Sequence, residues 1–107
     1  MSADESGSGE KIIAHVDSDL EDLIPEFMEL RRKDIISINK ALEEGDYKTI
    51  EILGHSMKGS GGGYGFDAIT EIGKVLEIAS REPNDQEIKK QVALLSDYIE
   101  RVEIVWD

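Results

Sequence analysis

The chemistry this 107-residue chain could do centres on His55, which is followed by Lys58 three residues on and by Gly59 four residues on. At about 100° per residue, Ile50, Leu53, Met57 and Tyr64 fall on one arc of a helix, and that arc must face a core. His55 points away from it. An imidazole buried for packing would lie on the apolar face, so this one is predicted to stand in solvent. The same outward sector holds Lys48, Glu51, Ile52, Lys58, Gly59 and Gly62, an unusual mixture for a merely solvated surface.

The glycines narrow the choice. Each glycine inside a helix costs roughly 1 kcal/mol relative to alanine, yet Gly54, Gly59, Gly61, Gly62 and Gly63 crowd one helix end. Gly54 and Gly61 fall toward the core, where a missing side chain admits another helix. Gly59 and Gly62 flank His55 outward, where a missing side chain leaves room for something to reach the ring. A frayed helix end would account for Gly62 and Gly63 but not for Gly59.

Ser/His/Asp catalysis needs a nucleophile and an oxyanion site in a cleft, and a one-domain helical chain of this size offers no convincing cleft. Metal binding wants several convergent ligands, and His15 and His55 are the only histidines. His15 lies in a short apolar segment with no adjacent lysine or glycine and reads as a surface or packing residue. What remains is imidazole itself as nucleophile. Phosphoryl transfer would need a neutral ring nitrogen, a nearby cation for the charge on the moving group, and open access. Lys58 meets the second need and Gly59 the third.

Four amphipathic segments are expected to position these residues. Asp17, Ser18 and Asp19 offer N-caps for a short first helix near Ser18, and Pro25 separates it from a longer one by a break between Leu23 and Glu26. That second helix carries Phe27, Met28, Ile35, Ile38 and Leu42 and stops at Glu44-Gly45-Asp46. Arg31 stands on its apolar stripe; its stem is expected to lie over the core rim with the guanidinium in water. A third helix runs from Asp46 to about Gly62, and Gly63-Tyr64-Gly65-Phe66 forms a turn. A fourth spans Asp67 to about Arg81 on Ile69, Ile72, Leu76 and Ala79. A fifth opens at Asn84, with Glu87 completing a capping box, and carries Ile88, Val92, Leu95, Ile99 and Val102. Tyr64 and Trp106 read as core or helix-end anchors. The pattern predicts an all-α protein: an antiparallel up-and-down four-helix bundle with a short additional N-terminal helix. Residues 1–10 are expected to be a disordered leader, and 11–107 the bundle domain.

If the third and fourth helices form an antiparallel hairpin, residues equidistant from the turn lie side by side. His55 and Glu77 are each eleven residues from Phe66. The Glu77 carboxylate could then accept a hydrogen bond from one ring N–H and leave the other nitrogen free. An ordinary exposed glutamate is the equal alternative.

The run from His55 to Gly65, HSMKGSGGGYG, resembles the signature of histidine-containing phosphotransfer (HPt) domains of bacterial two-component phosphorelays. The resemblance extends from about Asp19 to Val105 and includes the Glu44-Gly45-Asp46 corner and the Leu76-Glu77 pair; the chain departs from the commoner pattern in having glycines at 61–63. It implies a phosphocarrier without turnover of its own. His55 would accept a phosphoryl group from a receiver-domain aspartyl phosphate of a hybrid histidine kinase and pass it to a response-regulator aspartate. Lys58 would stabilise the charge, Gly59 would give access, and Glu77 would orient the imidazole. Lys48, Ile52, Gly59 and Gly62 would contribute to the docking face. No cofactor of its own is implied, since Mg²⁺ belongs to the receiver. The alternative is a helical module that binds or inhibits a signalling partner without being phosphorylated. The phosphoacceptor piece of a larger chemotaxis-type kinase would need further domains, and a stand-alone protein and an excised domain both fit the sequence.

Composition bounds these readings. Leu, Ile, Val and Phe make up about 27% of the chain, enough to fold, and one domain is the expected size. A net charge of −12 repels nucleic acid and anionic lipid. The charge is uneven: residues 1–29 sum to −8 and 61–107 to −5, whereas 30–60 carry +1. The near-neutral stretch contains His55, Lys48, Lys58 and Arg31-Arg32-Lys33, where a partner with an acidic phosphorylation pocket would approach. The absence of cysteine excludes thiolate chemistry and disulfides, and no apolar run approaches a membrane span, so a cytoplasmic monomer is expected.

Overall fold

A computed structural model describes residues 11–107; the expected leader, residues 1–10, lies outside the described residues. Four helices follow in order: α1 (Ile24–Glu44), α2 (Tyr47–Ser60), α3 (Asp67–Arg81) and α4 (Asp85–Arg101). Consecutive helices pack side by side, α4 closes onto α1, and α2 and α3 share the most extensive interface. With connections this short, neighbours must run antiparallel, which gives the four-helix bundle expected of the apolar periodicity.

The helix ends follow from local chemistry. Pro25 sits in the first turn of α1, where its missing N–H is no loss. Gly45, at φ 69°, closes that helix in the left-handed conformation, and the next residue, Asp46, caps α2 by accepting from Thr49 N at 3.1 Å and Thr49 Oγ1 at 2.6 Å. Asn84 caps α4 by accepting from Glu87 N at 3.2 Å. The Glu87 carboxylate takes its bond from Gln91 instead, at 2.7 Å, so only half of the expected capping box forms.

Three features differ from the helical reading. The short first helix is a 3-10 helix, Ser18–Leu23, capped by Asp17. Ile12–Val16 is a strand, β1, and the chain does not continue helically at Val102: Val102–Trp106 is a second strand, β2. The two pair in parallel, Ile12 with Val102 through Val16 with Trp106. Ala14 and Val16 are buried, and Ile12, Val102 and Ile104 pack against the core. Trp106 is therefore a strand residue, 40% exposed, rather than a helix-end anchor. His15 is exposed, with Nδ1 3.2 Å from the Asp107 carboxylate.

Arg31 also departs from expectation. Its guanidinium is not in water: the residue is 7% exposed, stacks 4.8 Å from the Phe27 ring centroid, and places Nε 2.9 Å from Asp34 Oδ2. Burial raises the Asp34 carboxyl above the usual carboxylate range, with Arg31 pulling the other way. The reason is an aromatic wall beside it: Phe27 packs on Tyr64 (4.6 Å) and Phe66 (5.5 Å), and Phe66 meets Tyr98 edge-on.

Candidate functional site

The site is built where α2 and α3 cross. Ile50 and Met57 are fully buried and fix which face of α2 looks inward. Close approach then depends on glycine. A Cβ on Gly54 would lie 2.8 Å from Gly73 O and 2.8 Å from Glu77 N, and a Cβ on Gly73 would lie 2.5 Å from Gly54 O and 2.6 Å from Lys58 N. The two backbones are therefore nearly in contact, which brings side chains on opposite flanks of the crossing within bonding distance.

His55 stands outward on α2, its side chain 69% exposed. Its Nδ1 lies 2.9 Å from Glu77 Oε2, the pairing that equal distance from the turn predicts. Glu77 is not an ordinary exposed glutamate: it is 6% exposed. Its other oxygen, Oε1, is 2.8 Å from Lys58 Nζ, and Arg81 Nη2 reaches Oε2 at 3.2 Å. The hydrogen bonds from Lys58 and His55 hold the Glu77 carboxyl below its usual range. An ionised carboxylate only accepts, so Nδ1 carries the proton, and in the neutral ring Nε2 is the nitrogen that keeps a free lone pair.

Two further charges extend the cluster. Arg81 Nε donates to Glu51 Oε2 at 3.0 Å, and Lys48 Nζ lies 3.6 Å from Glu51 Oε1. Beside the ring is a recess of about 230 Å³ lined by Lys48, Glu51, Ile52, His55 and Glu77. Ile52 is 56% exposed on its rim. A side chain at Gly59 would meet open space, so the ring can be approached from that side.

Gly62 is exposed and lies just past the end of α2. The α-helix ends at Ser60, slightly earlier than expected, and the chain continues through Gly61 into a 3-10 turn, Gly62–Tyr64, where the Gly62 N–H donates to Thr70 Oγ1 at 2.7 Å. Sequence reasoning missed Gly73 and Arg81. A glycine inside the Ile69–Ile72–Leu76 stripe was the signal for the first, and a basic residue four after Glu77 was the signal for the second.

The cluster has a pH signature. A depressed glutamate contributes stability that is fully present above its unfolded value, about 4.3, and is lost as pH falls through the lower folded value. Urea unfolding from about pH 7 to about pH 3 is expected to show wild type exceeding Glu77→Gln in stability at neutral pH, with the gap closing below about pH 4. A gap that stays constant across that range would mean that the fold does not hold the Glu77 carboxyl below its unfolded value.

Among the described residues, no helix is long and apolar enough to cross a membrane, and no group of three acidic or histidine side chains is placed to hold a metal. A family model described as Hpt domain matches residues 19–104. No curated protein and no solved structure matches the chain.

Proposed function

Because the chain belongs to the family of histidine-containing phosphotransfer (Hpt) domains, we propose that it is a histidine phosphocarrier working between two receiver domains, with His55 as phosphoacceptor. The observation that carries this reading is the contact at Nδ1: the buried Glu77 carboxylate lies 2.9 Å from it, on a ring that is otherwise exposed, which leaves Nε2 as the nitrogen open to a partner. In uptake, the Nε2 lone pair attacks phosphorus, and the phosphorus–oxygen bond to the receiver's aspartate breaks with its electrons leaving on that carboxylate. Onward transfer is the reverse step with a second receiver. Glu77 offsets the positive charge that the ring gains as the bond forms. Mg²⁺ is assigned to the receiver, and the chain supplies no turnover of its own.

Lys58 is the candidate for stabilising the phosphoryl oxygens. It stands three residues from His55 on the helix surface and is partly exposed. Lys58→Ala is expected to retain the fold and to slow transfer, or shorten the phosphohistidine lifetime, by roughly 10- to 100-fold, the scale of one charge-assisted hydrogen bond. Single-turnover kinetics check this, and unchanged rates would make the lysine a bystander.

Lys48 and Ile52, with Gly59 for access, form the docking face. Lys48→Glu is expected to weaken receiver binding about three- to tenfold, mostly through association rate and with reduced salt dependence. Identical association rates in both proteins at low and high salt would remove Lys48 from the interface.

The test of the function is incubation with a phosphorylated receiver and Mg²⁺. An acid-labile, base-stable label should appear on the chain; binding without label from any cognate receiver would favour the non-phosphorylated binding module instead.

A further inference from the structure

We propose that Arg31 is a positioning residue for the His55 site: from the side of α2 opposite the histidine, it holds in helical form the last turn, which carries Lys58 and Gly59. The functional half of this inference rests on His55 being the phosphoacceptor.

That turn has little helical strength of its own. Gly59 and Ser60 are followed by three glycines, and glycine weakens a helix more than any residue but proline. Its restraints are specific bonds. Gly61 N donates to Met57 O at 3.0 Å, Ser60 Oγ donates to Ser56 O at 3.0 Å, and Arg31 Nη1 reaches from α1 to Ser60 Oγ at 3.4 Å. The guanidinium is confined before it arrives: its carbon sits over the Phe27 ring, 4.8 Å from the centroid, and Nε is ion-paired with Asp34 Oδ2 at 2.9 Å without hydrogen-bond alignment. Its positive charge sits against the C-terminal end of α2, where unpaired carbonyls favour a cation.

Packing alone would not select an arginine here. Neighbouring stripe positions are filled by Met28, Ile35 and Ile38, and an apolar side chain of similar length avoids the desolvation that a buried ion pair suffers. What an apolar residue cannot supply is the donor to Ser60. If the last turn frays, Lys58 leaves its 2.8 Å contact with Glu77 Oε1, and the carboxylate that orients His55 loses one of its partners.

The test compares wild type with the double variant Arg31→Met, Asp34→Asn, which removes both charges together. Hydrogen exchange of the amides of residues 58–61 is expected to accelerate about tenfold, as for the loss of one hydrogen bond from a charged donor, with the buried part of α4 unchanged. Phosphoryl uptake within the receiver complex should slow severalfold at unchanged receiver affinity, and that slowing should vanish in a Lys58→Ala background, because the effect runs through Lys58. Ser60→Ala, which removes the acceptor for Arg31 together with the bond to Ser56 O, should accelerate exchange at 58–61 by at least as much and keeps the test available should the double variant not fold. Exchange that is unchanged at 58–61, or that rises equally in α4, would overturn the inference, as would an undiminished rate effect without Lys58. If wild type takes no label at all, the phosphocarrier reading fails, while the exchange measurement still decides whether Arg31 holds the turn.

Discussion

His55→Gln is expected to abolish phosphoryl uptake from a phosphorylated receiver while leaving the fold in place. The ring is largely exposed and makes one side-chain bond, to Glu77, which the amide of Gln can in part replace. Its removal should therefore change unfolding stability by no more than about 1 kcal/mol, the range of surface substitutions. Chemistry has no such substitute, because an amide nitrogen has no lone pair available for attack on phosphorus. The other histidine, His15, lies on β1 with an Asp107 partner and has no lysine three residues on, so it should not take over. Receiver affinity should persist, since Lys48, Ile52 and Gly59 are untouched. Label that survives in His55→Gln would move the phosphoacceptor elsewhere in the chain.

The second large effect is on stability. Gly73→Ala forces a Cβ to within 2.5 Å of Gly54 O, 2.6 Å of Lys58 N and 2.7 Å of Met57 Cβ. Two of these are backbone atoms that cannot turn aside, so α2 and α3 must separate. Overpacking of this kind typically costs about 1–3 kcal/mol, and backbone contacts this short place the substitution at the upper end. Alanine's better helix propensity returns about 1 kcal/mol at most. A net loss of about 2 kcal/mol is expected in urea unfolding, lowering the thermal midpoint by about 10 °C for a domain of this size. Gly59→Ala provides the opposite sign in the same fold: nothing lies within 4 Å of the added carbon, so propensity alone should raise stability by about 0.5–1 kcal/mol. Separation of the helices also lengthens His55–Glu77, so transfer should fall in Gly73→Ala. Equal stability of Gly73→Ala and wild type would mean that the crossing is not set by glycine.

These two residues mark what was legible in the chain. The His55–Glu77 contact followed from counting outward from Phe66, because an antiparallel hairpin makes equal sequence distance into spatial proximity. The helix boundaries at Gly45-Asp46 and Asn84 were readable because capping is local chemistry. Gly54 is recognisable as a close-approach residue from its place on the α2 wheel, and Gly73, its partner on α3, carries the same signal as a glycine in an apolar stripe. Non-local choices were harder. Ile12–Val16 and Val102–Trp106 pair across nearly the whole chain, and neither run is long enough to separate strand from helix by periodicity; the β-branched and aromatic content of Val-Glu-Ile-Val-Trp was the clue. The burial of Arg31 depends on Phe27, Asp34 and Ser60 converging from two helices, so helical spacing alone could place the residue on the stripe but could not say where its guanidinium would end.

In the proposed reaction, the hydrogen bond to Glu77 chooses which nitrogen of His55 reacts. Nitrogen–proton correlation NMR of the phosphorylated chain reads this directly, since the two phosphohistidine isomers have distinct ring patterns. A single phosphohistidine at residue 55 is expected, with phosphorus on Nε2 and the proton retained on Nδ1. Phosphorus on Nδ1, on His15 or on a carboxylate would contradict it.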